Sequence, residues 1–342
     1  MTNQAFFQLP ADLPLSLVVQ ALPADERLFF PSEQGPVLAA SKALTRTGWP
    51  LVKGRRLARA ANHQYRLYAP DLAFGQLAQL LAELPWSELR WRQGDVFELA
   101  FETEPDKGLY LERAQALGAE LMAGPFPSLE EPGLLIMDMD STAIEGECID
   151  EIAELAGCGA AVAEVTARAM RGELDFAQSL VERVARLEGT PAEVLEKVAE
   201  NIRHTPGIRG LVARLQQAGW QTALVSGGFT FFAHRVQEQL ALDWAEANVL
   251  EVIDGKLTGR VLGQIVDGQY KLEMLKRLRD QAGFKRDQVL ALGDGANDLK
   301  MLAEAGLGIA YHGKPKVRLA AKGAIVRHDM HAVLALLESV HD

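Results

Sequence analysis

From residue 134 onward, short apolar runs alternate with stretches whose apolar positions recur at helical spacing. Leu134 to Met137, Gln221 to Val225, Val289 to Leu292 and Leu307 to Ala310 read as buried strands, because continuous apolar runs of this length suit a parallel sheet. Between and after them the pattern predicts helices over Gly207 to Gln217, Phe229 to Gln239, Lys271 to Gln281, Asn297 to Ala305 and His331 to Ser339. Strand and helix in alternation predict an open parallel sheet covered by helices. The stretch between the first strand and Pro206 carries no strand signal and reads as a helical insertion. Within it Asp175 with Gln178, and Thr190 with Glu193 around Pro191, have the spacing of capping boxes at helix starts. Leu250 to Ile253 and Lys256 to Val261 flank Asp254-Gly255, a two-residue hairpin turn.

The first third has a different rhythm and predicts an α+β body. Leu15 to Ala21, Gln64 to Tyr68 and Val96 to Phe101 read as strands, Phe74 to Leu84 as an amphipathic helix, and Leu109 to Met122 as a helix leading out. Twelve of the fifteen prolines precede residue 133, and Gly124 to Gly133, with three of them, cannot continue a helix. This joint divides the chain into an accessory region, 1–125, and a second domain, 126–342. The first region shows no catalytic cluster; His63 stands alone and reads as a satisfied histidine.

Composition narrows the function class. The 342 residues are 48% hydrophobic and 24% charged, ordinary for a globular protein. Thirty-five basic against forty-six acidic side chains give a net charge of −11, which argues against nucleic acid as a partner. No apolar run approaches the roughly 20 residues of a membrane span, and the N-terminus does not resemble a secretory signal. Cys148 and Cys158 are the only cysteines, so a reducing cytoplasm is expected and both read as packing residues.

Four clusters carry the chemistry, each at a strand end or helix start. Asp138 and Asp140 end the first strand, and two carboxylates so close call for a proton, a cation or a hard divalent metal between them. A calcium loop is excluded, since its Gly and Glu positions hold Ala143 and Ile149. Ser226-Gly227-Gly228 follows the second strand, where glycines let backbone N–H groups approach an anion. Lys271 opens a helix, and by itself means nothing. Gly293-Asp294-Gly295-Ala296-Asn297-Asp298 adds two further carboxylates at a strand end. No Walker loop, nucleotide fingerprint or His-Glu-x-x-His occurs.

In this order the clusters resemble the haloacid dehalogenase (HAD-like) superfamily, and within it the phosphoserine phosphatases. Glu145 to Ala156, Asp175 to Val184, Val225 to Thr230, Asp254 to Gly259 and Gly293 to Asp298 carry the likeness, which covers roughly 134–342. The resemblance implies an α/β fold with a Rossmannoid parallel sheet and a helical cap at about 146–205, plus an N-terminal α+β region likened to an ACT amino-acid-binding domain. It implies Mg²⁺-dependent hydrolysis of O-phospho-L-serine, the last step of serine biosynthesis, through an aspartyl-phosphate on Asp138. Asp140 would be general acid and base, and Ser226, Gly227, Lys271 and Asn297 would hold the phosphoryl oxygens. The metal would be held by Asp138, Asp140 through its carbonyl, and Asp294, with Asp298 behind them. Glu147 would take the substrate ammonium and Arg183 its carboxylate, with Arg186 as the rival clamp, while Met170 and Phe176 would exclude water. Phosphoryl transfer to another alcohol, a different small phosphomonoester, and a non-catalytic amino-acid sensor are the alternatives. A homodimer is left open.

Overall fold

The computed structural model describes residues 4–14, 28–32, 35–41, 51–52, 63–70, 72–82, 84–93 and 95–338. Two compact units emerge: residues 1–125 with 322–328 and 332–342, and residues 126–321 with 329–331. Among the described residues no helix is long and apolar enough to cross a membrane.

The first unit is built on an antiparallel sheet. Its strands are β1 (Gln4–Phe7), β2 (Leu28–Ser32), β3 (Gly35–Ser41), β4 (Leu51–Val52), β5 (His63–Tyr68), β6 (Trp86–Gln93), β7 (Val96–Phe101) and β8 (Glu120–Ala123). They lie in the order β4-β1-β3-β2-β6-β7-β5-β8. Helix α1 (Phe74–Leu81) buries Phe74, Leu77, Leu80 and Leu81. It stops short of the predicted Leu84, the residue before Pro85, where the proline ring disfavours helical backbone. The helix predicted to Met122 ends earlier too: α2 covers Lys107–Ala116, and Gly118 at φ 70° turns the chain. Glu120–Ala123 then pairs antiparallel with Tyr65–Tyr68, so sheet pairing overrides local helical preference. The predicted strand Leu15 to Ala21 lies outside the described residues. Buried Glu120 also accepts from the backbone N–H groups of Val326, Arg327 and His328, at 3.0, 2.8 and 3.2 Å, binding the C-terminal segment into this unit.

In the second unit, β9 (Leu134–Met137) is completely buried, as its unbroken apolar run requires. Parallel partners flank it: β10 (Gln221–Phe229) on one side and β13 (Val289–Gly293) on the other. With β11 (Trp244–Ile253), β12 (Lys256–Leu262) and β14 (Leu307–Tyr311), the order is β12-β11-β10-β9-β13-β14. The chain therefore reverses its direction across the sheet at β9, and the crevice beyond the carboxyl ends of β9, β10 and β13 is a topological switch point. Register sharpens this: Met137 pairs with both Leu224 and Leu292, so Asp138, Ser226 and the turn after Gly293 leave the sheet at nearly one level.

The insertion after β9 holds α3 (Cys148–Leu155), α4 (Gly159–Met170), α5 (Phe176–Ala185) and α6 (Glu193–Asn201). Then come α7 (Ile208–Gln217), α8 (Thr230–Leu240), α9 (Gly268–Ala282) and α10 (Leu299–Glu304). Asp175 and Gln178 form the predicted capping box at the start of α5. Thr190 does not cap α6. Its carbonyl accepts from Leu257 and the Ala192 N–H donates to Gly255, so hairpin pairing consumes 189–192 and the helix starts at Glu193. The hairpin turns at Asp254-Gly255, both with positive φ, as its sequence predicts.

The proline-rich segment entering this unit is held by one side chain. Gln288, 6% exposed, accepts from Ser128 N–H at 2.7 Å and donates to the carbonyls of Ser128 and Glu131 at 2.9 and 3.0 Å. Replacing Gln288 with Leu strands three backbone groups, and is expected to lower unfolding free energy in urea by about 1–3 kcal/mol.

Candidate active site

Each functional side chain is delivered by a strand end or a helix start. Beyond β9 the chain turns sharply, with Ser141 at φ 55°, so Asp140 leaves the strand direction while Asp138 continues it. The Asp138 amide donates to the Leu292 carbonyl at 3.0 Å, and its Oδ1 accepts from Met139 N–H at 2.7 Å, which fixes the carboxylate. Lys271 enters from α9, whose N-terminus is capped by Asp267. Its ammonium is wholly buried, 2.7 Å from Asp138 Oδ2 and 2.7 Å from Asp298 Oδ1. Burial lowers an ammonium pKa, but the two carboxylates outweigh it and hold Lys271 well above its ordinary value. The other oxygen of Asp298 accepts from Gly295 N–H at 3.0 Å.

Asp138, Asp294 and Asp298 present carboxylate oxygens within 4.8 Å of one another, a group able to hold a metal ion. All donors are oxygen, which suits a hard divalent cation. Burial, then the charges of Asp138, Asp298 and Glu147, pushes the Asp294 carboxyl up to about 8, the response of acids crowded together in a buried place. Both oxygens of Asp298 are engaged by Lys271 and Gly295, as suits a residue that orients the others. Thr142, to which sequence reasoning gave no role, places its hydroxyl 3.5 Å from Asp294 Oδ1 and is itself wholly buried.

Asp140 Oδ1 accepts from the Cys148 N–H, the first of α3, at 3.1 Å. Burial, then Glu147 and Asp138, raises the Asp140 carboxyl to about 7. Opposite it stand Ser226, Gly227 and Gly228. These glycines are required: a Cβ on Gly227 would lie 2.5 Å from the Phe176 ring, and one on Gly228 2.5 Å from Asp140 Oδ2. The Gly228 amide donates to Ser226 Oγ at 2.9 Å.

A cavity joins these groups to the cap. It is lined by Asp138, Asp140, Glu147, Arg183, Ser226, Gly227, Asp294 and Asn297, with Phe176, Ile149 and Leu180 among its apolar walls. Glu147 is held by the Ser141 hydroxyl at 2.9 Å, and burial raises its pKa. Arg183 lines the same cavity, and its Nε is buried without a hydrogen-bond partner. Arg186, the C-cap of α5, is not in the lining. Nor is Met170, which ends α4 and is 68% exposed. Ile149 and Leu180 were missed as wall residues; their apolar positions beside Glu147 and Arg183, at helical spacing, were the available signal.

The family model of the haloacid dehalogenase-like hydrolases matches residues 133–306. A phosphoserine phosphatase of Vibrio cholerae serotype O1 is 51% identical over 213 residues, 62% of this chain and 65% of that protein. One of Idiomarina loihiensis is 50% identical over 206 residues, 60% of this chain and 94% of that protein. Thus the matched stretch spans just under two thirds of the first relative and nearly all of the second. Among solved structures, an unliganded probable phosphoserine phosphatase from Vibrio cholerae matches with a TM-score of 0.69 and 40% identity, covering 83% of this chain and 89% of that one. A substrate-bound phosphoserine phosphatase complex matches with a TM-score of 0.57 and 39% identity, covering 60% of this chain and 98% of that one. With its acidic trio, buried lysine and Ser-Gly-Gly turn at one sheet edge, the chain belongs to the haloacid dehalogenase-like hydrolase family.

Proposed function

We propose that this protein hydrolyses O-phospho-L-serine to serine and phosphate through an aspartyl-phosphate on Asp138, in the cytoplasm, with Mg²⁺ as cofactor. The observation that carries the substrate is the presence of both Glu147 and Arg183 in the lining of the cavity that Asp138 enters. A free amino acid presents an ammonium and a carboxylate, and each needs an opposite charge when partly desolvated. The Arg183 guanidinium in that lining suits a carboxylate that arrives with the ligand. The phosphoserine phosphatases similar to this chain support the same reading.

In the first step a carboxylate oxygen of Asp138 forms a bond to phosphorus while the bond to the serine oxygen breaks. That oxygen is a poor leaving group, and Asp140, its pKa pushed up to about 7, carries the proton to it. Water then attacks phosphorus, gives its proton to Asp140, and the Asp138 oxygen leaves. Ser226, the Gly227 amide, Lys271 and Asn297 hold the phosphoryl oxygens, and Lys271 offsets the charge of Asp138. Phe176 packs over Gly227 and shields the reacting group from water. Asp138 and Asp294 of the carboxylate trio, with the Asp140 carbonyl, would hold Mg²⁺, which would supply positive charge to the phosphoryl oxygens. Residues 1–125 act as an accessory region.

The direct test measures phosphate released from phosphoserine and from a panel of other small phosphomonoesters with Mg²⁺. Highest kcat/KM for phosphoserine is expected, with loss of at least about 10³-fold in Asp138→Asn while the fold is retained. A better substrate elsewhere in the panel would overturn the assignment.

The pH profile follows from Asp140. It donates only when protonated, so kcat/KM for phosphoserine is expected to fall as pH rises through about 7. A p-nitrophenyl leaving group needs no proton. Asp140→Asn should therefore slow serine release by about 10²–10⁴-fold yet largely spare the first-turnover burst from p-nitrophenyl phosphate, read by stopped flow.

Stability should depend on pH and metal together. Asp140 and Asp294, raised to about 7 and about 8, bind more protons folded than unfolded between the ordinary carboxylate range and those values. Metal-free stability must then decline as pH rises across that window. Calorimetry is expected to show Mg²⁺ raising Tm far more at pH 8 than at pH 5.

A further inference from the structure

We propose that Asn248 is a positioning residue for the phosphoryl cradle, holding the peptide between Gly227 and Gly228 so that the Ser226 hydroxyl keeps its proton for the substrate. The proposal rests on the reading above, in which Ser226 and Gly227 bind phosphoryl oxygens.

Asn248 lies on β11 beside β10 and is 1% exposed. Regular pairing between these strands ends at Val225 with Glu246 and resumes only at Phe229 with Asn248, so Ser226 to Gly228 bulge out of the ladder. The Asn248 side chain bridges this gap: its Nδ2 donates to the Gly227 carbonyl at 2.9 Å. That carbonyl and the Gly228 N–H belong to one planar peptide, so fixing the first aims the second. The Gly228 N–H donates to Ser226 Oγ at 2.9 Å.

The consequence is directional. A serine hydroxyl has one proton to give and lone pairs to accept with. With a lone pair committed to Gly228 N–H, its O–H is left to donate, and phosphoryl oxygens take only donors. At its other end Asn248 Oδ1 accepts from Val266 N–H at 2.9 Å. Val266 immediately precedes Asp267, the cap of the helix that carries Lys271. One buried amide therefore ties together the two segments that supply Ser226 and Lys271. An aspartate of the same size would set an acceptor against the Gly227 carbonyl. An alanine would leave a carbonyl and an N–H unpaired.

A double-mutant cycle with Asn248→Ala and Ser226→Ala tests this, read both as kcat/KM for phosphoserine and as inorganic phosphate affinity by calorimetry with Mg²⁺. Each single change is expected to lower both quantities by about tenfold or more. The double variant should match Ser226→Ala within about threefold, because Asn248 acts through Ser226. Losses that multiply would overturn the proposal, as would Asn248→Asp behaving like wild type. Should Asn248→Ala not fold, Asn248→Asp, which keeps the volume and the Val266 acceptor, takes its place in the cycle. The phosphate arm separates the two readings. A wild type that ignores phosphoserine but shows the coupling in phosphate binding removes the substrate assignment alone, whereas turnover with multiplying losses removes Asn248 alone.

Discussion

A lysine ammonium with no exposure to solvent lies 2.7 Å from each of two carboxylates, Asp138 and Asp298, and the rest of the site is arranged around that fact. Burying such an ion costs several kcal/mol before its partners are counted, so neither carboxylate can be withdrawn without leaving charge uncompensated. Asp138 is thereby held at the end of β9, and Asp298 at the start of α10, by the same group from α9. Three elements far apart in sequence are locked at one sheet edge. The contact also sets the Lys271 ammonium against Asp138, while Asp298 spends its second oxygen on Gly295 and so fixes the turn that carries Asp294.

The charges around this contact do not balance by themselves. Asp138, Asp140, Glu147, Asp294 and Asp298 face Lys271 and Arg183, five acids against two bases. Burial first, and this excess after it, raises the Asp140 and Asp294 carboxyls. A divalent cation would remove two of the three surplus charges, and one proton the last. Asp140, held off the strand axis and against the N–H of Cys148, is the acid that the proposed mechanism needs protonated. A carboxylate set of this charge suits the metal-assisted acid catalysis proposed above.

Legibility in the sequence followed the range of the interactions. β9 was readable because an apolar run buried on both faces needs no partner to declare itself, and the Asp254-Gly255 turn because its chemistry is local. Lys271 could not be judged by itself: an isolated lysine looks the same whether solvated or buried, and only its order among the other clusters gave it meaning. Pairing at a distance defeated local rules at Thr190, where the hairpin took the segment, and at Glu120–Ala123, where a strand replaced a helix. Met170 was assigned from a resemblance, and it is exposed and absent from the cavity lining. Asn248 passed unnoticed because a lone asparagine on a strand carries no pattern. Its role exists only where the ladder breaks.

The Ser226-Gly227-Gly228 turn joins these threads. Cap and sheet approach it from opposite sides, Phe176 over Gly227 and Asp140 against Gly228, each closer than any Cβ would permit. On the proposed function the same three residues bind phosphoryl oxygens, and the structure already has them admit the Phe176 ring and leave room for Asp140. No side chain could share that space, so the turn must be backbone, and backbone in a bulge has no ladder to hold it. Precision there has to come from side chains, through Asn248 beside the turn and the Ser226 hydroxyl within it. Loss of regular strand pairing is what makes the anion site possible, and a buried amide restores the order that the pairing would have supplied.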